Sequence, residues 1–223
     1  MLTRGRARED YVKAIYQLGA GQPIAGADLA RYLGVSRAAV TKFRRVLAAN
    51  KLVERSNGRT DHIRLSPRGR ALAVGMLRRH RLIETLLHRL GVPLHALHAQ
   101  AEAIEHVISA DVARRLERYL GRPQVDPHGH QIAGLARAGR GRTRVLLSDA
   151  PKGSRVRIEG IPDRDPSVVR NLMAGRVLPG LVATVVDEAG RGVVLRSNGG
   201  THRVSARAAA AIPVSVVTRR GAR

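Results

Sequence analysis

Six side chains between residues 78 and 109 could bind a metal ion or transfer protons. They are imidazoles and carboxylates in a stretch, RRHRLIETLLHRLGVPLHALHAQAEAIEHVIS, that otherwise has the pattern of helix. Imidazole nitrogens and carboxylate oxygens suit divalent first-row metal ions, and the same groups serve as general acids and bases. The six residues are His80, Glu84, His98, Glu102, Glu105 and His106.

The last four of these residues are predicted to share one helical face. At about 100° per residue, Glu102, Glu105 and His106 fall within roughly a quarter turn of His98. Neighbouring carboxylates repel each other unless a cation or a proton lies between them. This face therefore favours metal binding over a solvated polar surface.

His80 and Glu84 form an i, i+4 pair on the preceding helix, where an ordinary intrahelical interaction is the simpler interpretation. Asp10 lies in the first turn of the N-terminal helix and adds a further carboxylate. Three packed helices could bring all of these groups to a common centre. The residues alone leave three possibilities, namely a metal site, the acid/base site of a metalloenzyme, or solvated helix surfaces.

The elements that precede this stretch predict a winged helix-turn-helix. An amphipathic helix over 9–19 is followed by a short helix in AGADLARYLG and, after a three-residue turn, by a helix capped by Ser36. Two short alternating runs joined by the SNG turn at 56–58 predict the wing hairpin. A long helix from Pro67 to about residue 90 follows, and then helices over Leu94 to Ser109 and Ala110 to Leu120.

The net charge indicates a polyanionic partner. Forty Lys and Arg against seventeen Asp and Glu give a formal charge of +23, which attracts nucleic acid over long range. One Phe, four Tyr and no Trp leave few residues for stacking on single strands, so duplex DNA is the expected ligand. A winged helix used for protein contacts is the alternative. We predict base contacts from Ser36, Arg37, Thr41 and Lys42, and phosphate contacts from Arg44, Arg45, Lys51, Arg55 and Arg59.

The C-terminal half changes from helical to β-like patterning. Glycines, prolines and scattered arginines over 121–150 predict a linker, and five short strands with one helix follow from Gly153. Asp165 is the predicted N-cap of that helix. The predicted fold is therefore a mainly α N-terminal half with a C-terminal small all-β SH3-like barrel. The predicted domains are 1–72 (winged helix-turn-helix), 73–122 (helical), 123–150 (linker), 151–217 (barrel) and 218–223 (basic tail).

The absence of certain features restricts the chemistry and the location. The chain has no cysteine, so its metal ligands must be nitrogen and oxygen atoms, without thiolates or disulfides. The first ten residues are too polar for a signal sequence, and no apolar run is long enough to cross a bilayer. A cytoplasmic protein without a membrane partner is expected.

Several segments together resemble the DtxR/MntR family, the iron- and manganese-dependent transcriptional repressors typified by the diphtheria toxin repressor. The resemblance covers nearly the whole chain. It implies a homodimer that binds a palindromic operator only when metal is bound between the N-terminal helix and the later helices. The segments that carry it are EDYVKAIYQL, DLARYLGVSRAAVTK, RRHRLIETLL, AEAIEHVIS, the DPHG that follows, and the C-terminal barrel.

The resemblance assigns the ligands to two sets. Its regulatory set is Asp10, Glu102, Glu105 and His106, and its ancillary set is His80, Glu84 and His98. By alignment, Asp165 is the candidate that the barrel adds to the ancillary set, although it is equally the N-cap of its helix.

The metal is expected to be Mn²⁺. Iron-type members usually have Met and Cys where this chain has Asp10 and Glu102, and hard oxygen ligands favour Mn²⁺. Fe²⁺ is the alternative, and Zn²⁺ or Co²⁺ are expected to bind in vitro. The small manganese repressors have Glu at the position of Lys13, which cannot ligate while protonated, so two separated sites are favoured over a binuclear one.

Two other classes of function remain open from the sequence. A metalloenzyme would also use His and Glu ligands, but no further nucleophile or phosphate-binding loop accompanies them. A DNA-binding protein indifferent to metal would explain the positive charge but would leave the acidic cluster without a role. Regulation of metal-uptake genes by a metal-dependent repressor is the expected function, and no enzymatic activity is expected.

Overall fold

A computed structural model describes residues 4–54, 61–132, 144–187 and 192–217. The chain divides into two compact units, each made of two stretches. The first unit comprises Met1–His80 with Glu105–Val112, and the second comprises Arg81–Ile104 with Ala113–Arg223. The predicted boundary at residue 72 is therefore not where the compact units divide, because the long helix that contains it contributes residues to both.

The first unit contains the expected helix-turn-helix. Its core is formed by apolar residues of three helices, among them Val12, Leu29 and Leu47, each buried to within 1% exposure. Aromatic stacking joins the first helix to the third, since the rings of Tyr11 and Phe43 lie 4.2 Å apart. The elements are α1 (Arg4–Gly19), β1 (Ile24–Ala25), α2 (Gly26–Leu33), α3 (Arg37–Ala49), β2 (His62–Ile63) and the start of α4 (Pro67–Arg89).

The turn between α2 and α3 forms where the sequence predicts it. Gly34 ends α2 in the left-handed conformation, at φ 66°, which a residue without a Cβ adopts at little cost. Ser36 then caps α3, because its hydroxyl oxygen accepts a hydrogen bond from the Ala39 N–H at 3.1 Å. Helix α3 therefore starts at the predicted position.

We expect Ser36→Ala to destabilise the first unit modestly. Loss of the cap leaves the Ala39 N–H without its side-chain acceptor, which costs about 0.5–2 kcal/mol in free energy of unfolding. Urea denaturation followed by circular dichroism measures the change. Ser36→Asp, which can still cap the helix, is the control and should retain most of the stability, and equal losses in the two variants would contradict the capping role.

The described residues of the wing form the base of its hairpin. The backbones of Val53 and Leu65 pair as an antiparallel bridge, and the Glu54 N–H donates to the Arg64 carbonyl at 2.9 Å. The second arm also pairs with β1, an interaction that the sequence did not predict: β2 and β1 are antiparallel, with Ile63 opposite Ile24. The predicted turn at 56–58, like Arg55 and Arg59, lies outside the described residues.

The helix predicted over Leu94 to Ser109 is shorter than expected. It consists of a 3-10 turn (Leu94–Ala96) followed by α5 (Leu97–Ile104), and residues 105–108 form a turn. The second stretch of the first unit, Glu105–Val112, begins directly after this helix. Ser109 then accepts a hydrogen bond from the Val112 N–H at 3.2 Å, at the start of α6 (Ala110–Tyr119). Placing Glu105 and His106 on one helical arc with His98 and Glu102 was therefore wrong.

The second unit is built on a six-stranded antiparallel sheet in the order β3-β8-β4-β5-β6-β7. Alternating residues such as Val156, Ile158, Val185 and Leu195 are fully buried in its core, as expected for strands with one face inward. The unit confirms the predicted small all-β barrel with one main helix. Besides the last turns of α4, α5 and most of α6, its elements are β3 (Arg144–Leu146), β4 (Arg155–Ile158), α7 (Pro166–Ala174), β5 (Val182–Asp187), β6 (Gly192–Ser197), β7 (Gly200–Ser205), a short α8 (Ala206–Ala209) and β8 (Pro213–Val216).

The predicted linker over 123–150 is partly structured, which corrects the prediction. Strand β3 pairs with β8, with Val145 opposite Val214, and Leu147 and Ala150 are fully buried. A three-residue strand in a segment rich in Gly and Arg has too short a pattern to recognise. The pairing partner of β3 lies some seventy residues later in the chain. Strand β3 is therefore formed by a long-range contact that the local sequence does not reveal.

None of the described helices is both long enough and apolar enough to cross a membrane.

Candidate metal centre

The first unit brings imidazoles, carboxylates and one lysine together, a group that we call the first cluster. Its residues come from α1, from α4 and from the turn after α5. In three of them, Asp10, Glu105 and His106, one potential ligand atom each lies within 4.8 Å of the others. The members of the first cluster are Glu9, Asp10, Lys13, His80, Glu105 and His106.

His106 is held in an orientation that suits metal binding. Its Nδ1–H donates to Glu9 Oε2 at 2.7 Å, which leaves Nε2 facing Asp10 Oδ1 at 3.0 Å and Glu105 Oε1 at 3.5 Å. Metal-binding histidines usually have their second nitrogen held by a carboxylate or a carbonyl in this way. The sequence did not single out Glu9, although it directly precedes Asp10.

Glu105 is the most enclosed carboxylate of the first cluster, with no exposed surface. Its Oε2 accepts a hydrogen bond from His80 Nδ1 at 2.7 Å, and its Oε1 accepts one from Lys13 Nζ at 2.5 Å. Burial acts to raise the pKa of Glu105, but the hydrogen bond from His80 and the charge of Lys13 outweigh it and hold the pKa below its usual value. Glu105 therefore stays ionised.

The pKa of Asp10 is shifted upwards, in the opposite direction to that of Glu105. Its carboxyl is about half buried, and this burial raises its pKa, although His106 and Lys13 act against the rise. The charge of Glu105 adds to the rise of the Asp10 pKa, so a further cation beside these two carboxylates would favour the ionised form of Asp10.

The distances in the first cluster fit a divalent ion. An ion with ligands at about 2.0–2.2 Å separates any two of its ligand atoms by at most about 4.4 Å. The three atoms of Asp10, Glu105 and His106 lie within 4.8 Å of one another, close to the spacing that a shared ion requires. Two oxygens and one nitrogen are donors that Mn²⁺ accepts.

The second unit contains another group of ionisable side chains, which we call the second cluster. Glu84 from α4 lies at its centre, with both His98 and His128 near its Oε1 at 3.8 Å and 3.6 Å. The members of the second cluster are Glu84, His98, Glu102, Asp126, His128, His130 and Asp163.

His98 is surrounded by carboxylates from three directions. Its Nδ1 lies 3.8 Å from Glu84 Oε1 and 3.7 Å from Asp163 Oδ2, and its Nε2 lies 3.4 Å from Glu102 Oε1. Burial acts to lower the pKa of His98, but the hydrogen bonds to Glu102 and Glu84 and the charge of Asp163 raise it to about 9. The imidazole is therefore protonated at neutral pH.

The DPHGH segment closes a turn and also supplies side chains to the second cluster. Asp126 Oδ1 accepts hydrogen bonds from the backbone N–H groups of His128 and His130, both at 2.9 Å. The ring of His128 is fixed by a bond from Nε2 to the Leu94 carbonyl at 3.1 Å. Its Nδ1, which has no hydrogen-bond partner among the described residues, faces Glu84. One ligand atom each from Glu84, Asp126 and His128 lies within 4.8 Å of the others.

His130 and Asp163 form a partly buried ion pair at the side of the second cluster. His130 Nδ1 lies 3.3 Å from Asp163 Oδ2 and 3.4 Å from Asp126 Oδ2. Burial opposes the charge on His130, yet the bonds to Asp126 and Asp163 raise its pKa to about 10. Although burial opposes ionisation of Asp163 as well, the hydrogen bond from His130 and its positive charge hold the pKa of Asp163 far below its usual value.

The predicted ligands are divided between the two units. His80 contacts Glu105 in the first unit, and its predicted role beside Glu84 and His98 stays a prediction. Glu102, expected with Glu105, belongs to the second unit and lies beside His98.

The barrel carboxylate beside His98 is Asp163 and not the predicted Asp165. Asp165 caps α7, accepting from the Ser167 N–H at 3.0 Å and the Ser167 hydroxyl at 2.6 Å. Its other oxygen lies 3.6 Å from an exposed arginine, Arg207. The carboxylate is therefore occupied by its helix, and its capping role was predicted correctly.

The predicted DNA-contacting residues of the helix-turn-helix lie mainly on the surface of the first unit. Two of them also have local roles, because Ser36 caps α3 and the Thr41 hydroxyl donates to the Arg37 carbonyl at 3.0 Å. Arg44 is half-buried. The exposed members are Ser36, Arg37, Thr41, Lys42, Arg45 and Lys51.

Comparison with known proteins shows close similarity to metal-responsive repressors. Residues 66–134 match the model of the iron dependent repressor, metal binding and dimerisation domain, and residues 145–216 match the FeoA domain. The chain is 36% identical over 148 residues to the iron-dependent repressor IdeR of Mycobacterium bovis; this alignment covers 60% of the chain and 64% of that protein. The match thus spans just under two thirds of the length of IdeR.

Two further similarities extend over more of the chain. The diphtheria toxin repressor of Corynebacterium efficiens is 32% identical over 203 residues, covering 86% of this chain and 87% of that protein. Among solved structures, a manganese-dependent transcriptional repressor in complex with manganese superposes with a TM-score of 0.81 at 29% identity, covering 94% of this chain and all of that one.

Proposed function

Because this chain belongs to the family of metal-dependent transcriptional repressors typified by the diphtheria toxin repressor, we propose that it represses metal-uptake genes when Mn²⁺ is bound. The proposed form is a homodimer on a palindromic operator, in line with the dimerisation domain matched over 66–134. The proposed location is the cytoplasm.

The first cluster is the observation that carries this proposal. Asp10, Glu105 and His106 come within 4.8 Å of one another, in the same unit that contains the helix-turn-helix. Glu9 orients His106 so that Nε2 faces the two carboxylates. When bound, the metal ion would supply positive charge that holds these carboxylates together, and Asp10, Glu105 and His106 would be its ligands.

The path from the first cluster to the DNA-reading helix runs through α1. Asp10 is a proposed ligand, and the next residue, Tyr11, stacks on Phe43 of α3 with ring centroids 4.2 Å apart. A metal ion bound to Asp10 would therefore restrain the neighbouring Tyr11, whose ring packs against α3. If metal favours the DNA-binding arrangement in this way, operator binding must increase metal affinity by the same factor.

The second cluster is the proposed ancillary site. Glu84 and His98 were predicted to belong to it, and the contacts favour adding Asp163, Asp126 and His128, which the sequence did not assign as ligands. Inclusion of His80 in this set and of Glu102 in the first set stays a prediction.

Mn²⁺ is proposed over Fe²⁺ because the donors of both clusters are carboxylate oxygens and imidazole nitrogens, and the chain has no cysteine. Hard oxygen donors suit Mn²⁺, whereas softer sulfur donors would favour competing metals. Fe²⁺ remains the second candidate, since relatives such as IdeR are named iron-dependent repressors. The relatives are named as repressors and not as enzymes, which argues against the metalloenzyme alternative.

Fluorescence anisotropy with a labelled palindromic promoter fragment tests the function. Operator affinity is compared in chelator, Mn²⁺, Fe²⁺ and Zn²⁺ at constant ionic strength. We expect Mn²⁺ to increase affinity by about 5- to 150-fold, the usual range for coupled sites. Affinity that responds only to salt would instead indicate a DNA-binding protein indifferent to metal.

The second cluster should release a proton when it binds metal. The pKa of His98 is raised to about 9, so the metal-free imidazole is protonated below about pH 9 and must lose that proton to ligate. Apparent Mn²⁺ affinity should therefore rise by up to about tenfold per pH unit as pH rises toward that value. Isothermal titration calorimetry in buffers of different ionisation enthalpy counts the protons. His98→Gln should remove this pH dependence, and no difference between the buffers for the unmodified protein would contradict His98 as a ligand.

A further inference from the structure

Lys13 is a buried lysine within the first cluster. Its side chain is 8% exposed, and its Nζ lies 2.5 Å from Oε1 of the fully buried Glu105. Glu105 Oε1 also lies 3.5 Å from His106 Nε2, the imidazole nitrogen that faces Asp10. The lysine ammonium therefore binds the same carboxylate oxygen that lies beside His106 Nε2, a candidate metal ligand.

The second carboxylate oxygen of Glu105 also has a hydrogen-bond partner. Its other oxygen, Oε2, already accepts the hydrogen bond from His80 at 2.7 Å. A divalent ion shared with Asp10 and His106 needs the side of Glu105 that faces them, and that side is held by Lys13. Two cations at one buried carboxylate oxygen repel each other strongly, because little water is present to screen them.

We propose that Lys13 is an internal cation that holds Glu105 in the metal-free protein and must withdraw before a divalent ion can bind to the first cluster. This inference rests on the proposed function. Lys13 acts as a positioning residue that sets the metal concentration at which the cluster fills. The flexible four-carbon stem of lysine lets the ammonium leave while the backbone of α1 stays in place.

The proposal predicts effects of opposite sign on metal affinity and on stability. Without metal, Lys13 compensates the buried charge of Glu105, so its removal should weaken the metal-free fold. With metal, the ion replaces that charge and meets no competitor once Lys13 is gone. A purely structural role for Lys13 would lower both quantities, because a disturbed cluster would bind metal less well.

The test is Mn²⁺ affinity, measured by competition with a chelating dye, for Lys13→Gln and Lys13→Arg. All proteins carry His98→Gln, so that the second cluster contributes little. We expect Lys13→Gln to bind Mn²⁺ about ten- to a hundredfold more tightly, a range typical of removing one member of a close charge pair. We also expect a lower melting temperature without metal that Mn²⁺ restores. Lys13→Arg keeps the positive charge and should stay close to the affinity of the parent.

Arg31→Gln is the control, since it removes a cation of the same unit whose ion pair, with Asp28 at 3.0 Å, lies outside the first cluster. It should change Mn²⁺ affinity much less than Lys13→Gln. If Lys13→Gln does not fold without metal, its affinity is measured after refolding with Mn²⁺, and Lys13→Met provides a second neutral variant.

Unchanged or weaker Mn²⁺ affinity in both neutral variants would overturn the proposal. The dye measurement contains no DNA, so its outcome is separate from that of the proposed function. Tighter Mn²⁺ binding in Lys13→Gln, with operator affinity insensitive to metal in every protein, would support the role of Lys13 while contradicting the repressor mechanism.

Discussion

Glu105→Gln is expected to abolish the effect of Mn²⁺ on operator binding. Glutamine keeps a similar shape and can still accept a hydrogen bond from Lys13 or His80, but it removes the charged ligand at the centre of the first cluster. The metal-dependent gain in operator affinity is about 5- to 150-fold for coupled sites. In Glu105→Gln the affinities with and without Mn²⁺ should be nearly equal. Anisotropy titrations with and without Mn²⁺ measure this ratio directly.

Two comparisons make the result specific. Glu159→Gln is the matched control, because Glu159 lies in the second unit, where its Oε1 accepts from the Ser215 hydroxyl at 2.6 Å, and it should retain the full response. Glu105→Ala should in addition lose stability, by about 3–5 kcal/mol, since it leaves the buried Lys13 without its carboxylate. A Glu105→Gln protein that responds to Mn²⁺ like the parent would refute the first cluster as the regulatory site.

Gly129→Ala is expected to disrupt the second cluster and the unit that contains it. Gly129 has φ +87°, and a Cβ built there would lie 2.2 Å from the Glu159 carbonyl oxygen and 2.7 Å from Gly160 Cα. Both contacts are with backbone, which cannot rotate away. Positive φ alone costs about 1–3 kcal/mol for a residue with a side chain, and the overlap adds to it. We therefore expect a loss of about 3 kcal/mol or more in the free energy of unfolding.

Gly153→Ala is the control that introduces the backbone strain of a positive φ without a steric overlap of the new Cβ. Gly153 has a similar φ of +81°, but a Cβ there has no neighbour within 4 Å among the described residues. Urea denaturation should therefore show a smaller loss for this control. Displacement of the 126–130 turn should also reduce bound Mn²⁺ in Gly129→Ala by about one ion per chain, as counted by elemental analysis after dialysis. Equal stability losses in the two variants would contradict the close approach.

Local patterns predicted the elements of the helix-turn-helix well. Ser36, the stop at Gly34 and the apolar spacing of α3 act within a few residues of each other, so the sequence contains the whole signal. The same holds for Asp165 at the start of α7. In each case a cap or a turn residue determines the backbone on its own.

The arrangement of the two clusters depended on contacts that sequence spacing does not encode. Glu105 and His106 looked like a continuation of α5, yet the helix stops at Ile104. Ser109, a potential N-cap for α6, was the available local signal that the chain leaves the helix first. Asp163 could not have been found from spacing, because only the folded barrel brings it beside His98, sixty-five positions earlier in the chain.

The first unit is discontinuous, since Glu105–Val112 joins Met1–His80 after an excursion of the chain through the second unit. During synthesis, the helix-turn-helix leaves the ribosome well before Glu105 does, and the bond between Lys13 and Glu105 closes a loop of 92 residues. The helices of the helix-turn-helix are therefore synthesised early, whereas Glu105, the proposed metal ligand, is added only later. Until residue 112 has emerged, the growing chain contains the helix-turn-helix without the second stretch of the first unit.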